Sequence, residues 1–140
     1  ILIRRNIWDV ATSQFKQYYI FNVPYSTKFF NIAIECANFE EITNFWMRKE
    51  FDIYKNIFEV SYEDLVKHEN KVGNEIYNFI GIHSEYQGTG REKFFSRTAS
   101  RFQIDKKINQ KSVNKSFFED DKAKFLQDFK NQQEYWHNAL

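Results

Sequence analysis

The opening residues constrain the fold more than any other stretch. Ile1–Ile3 is a short β-branched and leucine run cut off by Arg4 and Arg5, the pattern of the end of a buried parallel strand. Asn6 follows as an N-cap residue, with Asp9 three places on in the manner of a capping box. Ile7, Ala11, Phe15 and Tyr18 or Tyr19 then recur at helical spacing. The chain therefore reads strand, sharp turn, helix, with Arg5 at the turn and Ser13 two turns into the helix. Such a helix start suits an anion. Its first N–H groups lack intrahelical partners, the macrodipole adds partial positive charge, and Arg5 supplies a planar fork of donors. Ser13 can add a hydroxyl. The same residues also fit a plain ion pair of Arg5 with Asp9 beside an exposed helix serine, and both readings stand at this point.

The run Arg5-Asn6-Ile7-Trp8-Asp9, with Ser13 eight places after Arg5, resembles the 3′-phosphate-binding motif of the sulfotransferases that use 3′-phosphoadenosine 5′-phosphosulfate (PAPS). In that family the Arg and the Ser hold the nucleotide's 3′-phosphate, and the resemblance gives Arg5 and Ser13 that role. Ile7 stands where the family usually has Pro, a residue at home at the first helical position.

The remaining composition narrows the classes. A chain of 140 residues with 42% hydrophobic and 19% aromatic content is a single domain able to build a core, and is not disordered. A net charge of +1 gives no global pull toward nucleic acid or a membrane surface, so any anion site must be local. One cysteine, Cys36, excludes an internal disulfide framework. No apolar stretch is long enough to span a bilayer and no signal-peptide layout is present. The compartment stays open, with the cytoplasm favoured. His68 and His83 have no ligand-type residues at metal spacing, so no metal is assigned.

A break at Phe21–Thr27 precedes a second helix expected over about Asn38–Phe51, whose Phe39, Ile42, Phe45 and Trp46 stripe is read as core. Asn56–Tyr62 is the second strand candidate, with Ile57, Phe58 and Val60 inward. One long helix is expected next, with Leu65, Val72, Ile76, Phe79 and Ile80 on one side and Gly81 ending it. Two strands separated by helix imply a parallel pair. His83–Arg97 reads as a mobile polar surface loop. A last helix is expected from Phe117 to about Trp136, with Phe118, Phe125, Leu126, Phe129 and Trp136 inward.

Two later stretches extend the resemblance. Val60-Ser-Tyr-Glu-Asp-Leu-Val66, leading to Phe79-Ile80-Gly81, is similar to the family's Tyr-Glu-Asp-Leu signature and the helix ending that follows it. The family's Tyr lies near the adenine, which makes Tyr62 a nucleotide contact; taken by itself Tyr62 is equally a packed ring beside a helix cap. Thr98, Ser100, Gln103, Ile104, Ile108, Ser112, Val113 and Lys115 follow, in order, the family's late loop that closes over the nucleotide. Lys115 inherits the basic position on the 3′-phosphate, as a point charge without the guanidinium fork, and Thr98, Ser100 and Ser112 join the cofactor-binding set. Asn114 and Ser116 replace the family's Gly and Trp.

The resemblance implies an α/β chain of P-loop-NTPase-like sulfotransferase fold, its C-terminal part, with few parallel strands flanked by several helices. The domain is expected to be partial over 1–140, lacking the N-terminal part that binds the 5′-phosphosulfate, and no catalytic base is assigned. The implied chemistry is sulfuryl transfer from PAPS to a hydroxyl or amine of a small-molecule, glycan or peptide acceptor, with no nucleic acid partner and with room for an oligomer. Two alternatives belong to other classes: a non-catalytic module binding a nucleotide or an acidic partner, and a kinase-like nucleoside-phosphate enzyme.

Overall fold

The structure, a computed structural model, describes residues 1–16, 24–88 and 118–139. Its elements in chain order are β1 (Leu2–Arg4), α1 (Ile7–Lys16), a 3₁₀ turn (Pro24–Thr27) and α2 (Phe29–Trp46). A second 3₁₀ turn (Asp52–Asn56), β2 (Glu59–Ser61), α3 (Tyr62–Lys67) and α4 (Glu69–Phe79) follow, and the final helix is α5 (Glu119–Ala139). The described residues divide into two compact units: residues 1–4 with 58–88, and residues 5–57 with 118–139 as far as they are described.

In the first unit β1 and β2 pair in parallel, with Leu2 opposite Glu59, Ile3 opposite Val60 and Arg4 opposite Ser61. The expected parallel pair is present. The second strand is shorter than Asn56–Tyr62, because Asp52–Asn56 winds into a 3₁₀ turn and Tyr62 already belongs to α3. Only Val60 of the three residues read as inward is buried. Arg4 Nε meets Glu59 Oε1 at 3.1 Å across the pair.

The single long helix expected after β2 is two helices. His68, at φ −130° and ψ 46°, leaves helical geometry, so α3 closes with its N–H on Asp64 O and α4 opens with Val72 N–H on its carbonyl. No Gly or Pro marks this break in the sequence. Gly81 does end α4. Its φ of +79° lets Ile82 N–H reach Tyr77 O and Gly81 N–H reach Asn78 O, the paired bonds of a Schellman cap. The chain turns away there, so Phe79 and Ile80 are exposed instead of packed inward, with Phe79 stacked obliquely on Phe58.

The second unit is helical. Trp8, Ala11, Ile32, Ala33, Cys36 and Phe125 form its core, with Phe15, Phe29 and Phe129 packed around them. Small residues at Ala33, Cys36 and Ala37 let α2 approach its neighbours closely, and α5 lies along it through Gln132 and Trp136, both donating to Asn38 Oδ1. Burial, aided by Glu35 and Glu40, pushes the Cys36 thiol up to about 11.

Three expectations about this unit are corrected. The helix starts at Phe29, well before Asn38, and ends at Trp46. Its buried face is Ile32, Ala33, Cys36 and Ala37, so Phe39, Ile42 and Trp46 stand in solvent. In α5, Phe125 is buried as expected, whereas Leu126 is exposed and Phe118 sits before the helix at φ 58°, partly exposed.

Candidate functional site

Asn6 organises the start of α1. Its Oδ1 accepts from the N–H groups of Trp8 (3.0 Å) and Asp9 (3.2 Å), and its carbonyl accepts from Val10 N–H (3.1 Å). The N-cap read from the sequence is therefore present, and it has a cost for anion binding. Two of the donors that an anion would use are already taken by the protein's own side chain. The idea of a helix start offering several open N–H groups is corrected accordingly.

What remains at this end of the helix is a row of side chains. Residues 5, 9 and 13 follow one another at four-residue intervals, which stacks them along one face. Arg5 Nη2 lies 4.0 Å from Asp9 Oδ2, an ionic contact longer than a hydrogen bond. Asp9 is buried, and this is the pairing that the plainer reading of Arg5 anticipated. Ser13 is half-buried, one turn beyond Asp9, and its hydroxyl makes no hydrogen bond among the described residues. Thr12, on the neighbouring face, spends its hydroxyl on Asp9 O at 3.2 Å.

Tyr62 belongs to the other unit, as the first residue of α3 and half-buried. The cap of that helix is Ser61, whose Oγ accepts from Asp64 N–H (3.2 Å) and donates to Glu63 Oε2 (3.0 Å). Glu63 and Asp64 thus serve the helix start, as neighbouring acids usually do. Thr98, Ser100, Ser112 and Lys115 lie outside the described residues, as does most of the polar His83–Arg97 stretch.

Residues 1–86 match the model of a family described as the sulfotransferase family. The chain belongs to the sulfotransferase family. No curated protein and no solved structure matches it. The matched stretch contains Arg5, Ser13 and Tyr62, together with both strands and the first four helices of this sulfotransferase chain. Family membership makes it a transferase-type chain concerned with sulfuryl transfer to a small-molecule or macromolecular acceptor, and the helix-rich structure with a small parallel sheet fits an α/β sulfotransferase fold. Among the described residues no three His, Cys, Asp or Glu side chains group as a metal site, and no helix is long and apolar enough to cross a membrane.

One structural residue in the matched stretch escaped the sequence reading. Gly73 lies inside α4, and the Tyr86 ring occupies the space its missing side chain leaves. Tyr86 N–H donates to Asn74 Oδ1 (2.7 Å) and its hydroxyl donates to Glu69 Oε1 (3.0 Å). Burial, then the hydrogen bond and charge of Glu69, push the phenol up to about 12. A lone glycine within a helical pattern was the available signal.

Proposed function

We propose that this chain is the C-terminal, 3′-phosphate-binding part of a PAPS-dependent sulfotransferase. The observation that supports it best is the Arg5–Asp9–Ser13 row at the start of α1, within the family-matched residues. A guanidinium and a hydroxyl eight residues apart, the hydroxyl making no hydrogen bond among the described residues, are suited to phosphate oxygens. With the Trp8 and Asp9 N–H groups committed to Asn6, the side chains carry the recognition and the helix contributes mainly its dipole.

In this reading Lys115 adds a second cation, Thr98, Ser100 and Ser112 add hydroxyls, and Tyr62 contributes a ring face and a phenol to the adenine. In the family the 5′-phosphosulfate loop, with Arg-Ser-Gly-Thr or Lys-x-Gly-Thr, precedes the motif that Arg5 and Ser13 resemble, so the 5′-phosphosulfate is assigned to a part of the protein outside these residues, as is the base. The overall reaction forms a bond from the acceptor oxygen or nitrogen to sulfur, breaks the bond from sulfur to the 5′-phosphate oxygen, and leaves the acceptor's proton on that base. The chain alone is expected to bind nucleotide weakly and to turn nothing over.

Titration calorimetry with adenosine 3′,5′-bisphosphate against adenosine 5′-phosphate tests the proposal. A preference for the 3′-phosphate, lost in Arg5→Ala and reduced in Ser13→Ala and Lys115→Ala, is expected. Equal affinity for the two nucleotides sinks it and returns Arg5 to a structural partner of Asp9.

A further inference from the structure

Helix α2 is apolar on more sides than its neighbours cover. Its buried residues face the core shared with α1 and α5, yet Phe39, Ile42 and Trp46 are 66%, 59% and 48% exposed. Together with Glu35 they fall at intervals of four, three and four residues, the spacing of a coiled-coil seam along one side of a straight helix. An exposed apolar row of this kind marks an interaction surface.

The charges flanking the row specify what fits it. Glu35 is exposed at its N-terminal end, and Arg48 and Lys49 are exposed in the turn that closes α2. None of the three makes an ion pair among the described residues. Arg48 is held near the row by its guanidinium, which lies 5.3 Å from the Phe45 ring centroid. Ile42 lies between them along the chain: Glu35 is about 10 Å to its N-terminal side at 1.5 Å per residue, and the cations lie past the C-terminal end of α2 at Trp46. A surface with an apolar centre, an acid at one end and bases at the other is complementary to its own image turned through two-fold symmetry.

We propose that this face pairs with a second copy of the chain, α2 against α2 in antiparallel, with the two-fold axis near Ile42. Phe39 of each copy then packs beside Trp46 of the other, and Glu35 of each meets Arg48 and Lys49 of the other.

Sedimentation velocity on the 140-residue chain over a wide concentration range tests this. A concentration-dependent dimer is expected, and Ile42→Lys abolishes it while circular dichroism is unchanged, because the side chain is exposed. Glu35→Lys weakens the dimer by about tenfold, because all four contacts of residue 35 with Arg48 and Lys49 turn from attractive to repulsive, and adding Arg48→Glu and Lys49→Glu restores it. A chain that stays monomeric throughout overturns the proposal. So does a dimer indifferent to Ile42→Lys, or one that the charge exchange does not rescue. Association only with a different polypeptide, blocked by Ile42→Lys, assigns the face to that partner and likewise overturns self-pairing.

Discussion

Replacing Gly73 by alanine separates intrinsic helix preference from packing, because the two predict opposite signs. In an ordinary helix interior the substitution stabilises by about 1 kcal/mol, since Ala has less backbone freedom to lose. In this chain a Cβ at position 73 would lie 2.5 Å from Cγ and 2.7 Å from Cε1 of Tyr86, with Cδ1 closer still. The ring must therefore leave α4. Its departure breaks the hydroxyl's hydrogen bond to Glu69 and the edge-on contact with Tyr77 at 5.3 Å, while the bond to Asn74, made by the Tyr86 backbone N–H, stays. Those are worth about 1 kcal/mol for the hydrogen bond and roughly 0.5–1.5 kcal/mol for the ring pair. Setting that loss against the gain in helix preference leaves Gly73→Ala destabilised by about 0.5–1.5 kcal/mol in denaturant unfolding. In a Tyr86→Ala background the same change should stabilise by up to about 1 kcal/mol, because nothing then opposes the alanine. The phenol gives a second readout. Its folded pKa of about 12 exceeds the ordinary 10.0, so its contribution to stability is full below pH 10 and is lost as pH rises toward 12. Gly73→Ala should return the phenolate absorbance transition toward 10.0 and remove that alkaline loss. A Gly73→Ala chain more stable than the parent, with Tyr86 titrating as before, would refute the reasoning.

The remaining expectations concern the helical unit. Asn6→Ala removes the acceptor for Trp8 and Asp9 N–H and should cost about 0.5–2 kcal/mol in thermal or denaturant unfolding, while Asn6→Asp should cost much less. Phe118 holds a left-handed backbone at φ 58° while its ring meets Phe15 edge-on at 5.2 Å. Phe118→Gly should therefore be more stable than Phe118→Ala by about 1 kcal/mol, both having lost the ring and only glycine relieving the strain. Phe125, 1% exposed amid Trp8, Phe29 and Phe129, should cost about 3–5 kcal/mol on truncation to alanine, measured by denaturant unfolding.

The elements legible in the sequence were those with local chemistry at their ends. Asn6 announced α1, Gly81 announced the end of α4, and Ile1–Ile3 with Val60 announced a parallel pair. The start of α2 had no such mark: Lys28 caps nothing with its side chain, and the run from Phe29 to Ala37 has only Asn31 and Glu35 as polar residues, too few to outline a stripe. The visible stripe, Phe39 to Trp46, is the face that core packing does not use. Periodicity reports that a helix has a face, and only tertiary packing decides which face is inside. His68 divides α3 from α4 without a Gly or Pro, so a continuous helix was the natural reading of that stretch.

At the candidate site the residue types were legible and their commitments were not. The Arg–Asp–Ser spacing was readable as a row leading into α1, and the Arg5–Asp9 contact is present, but nothing in a sequence states that Asn6 already takes two of the helix's donors. The electrostatic consequence is specific. Arg5 and buried Asp9 sum to no net charge, so this pair cannot by itself balance a phosphate dianion. Under the proposed function the helix dipole makes up part of the deficit, and a further cation must make up the rest. Lys115 is assigned that part, which makes its alanine variant the informative one at high ionic strength. A screened, solvent-facing lysine loses its effect as salt rises, whereas one brought onto the phosphate retains much of it.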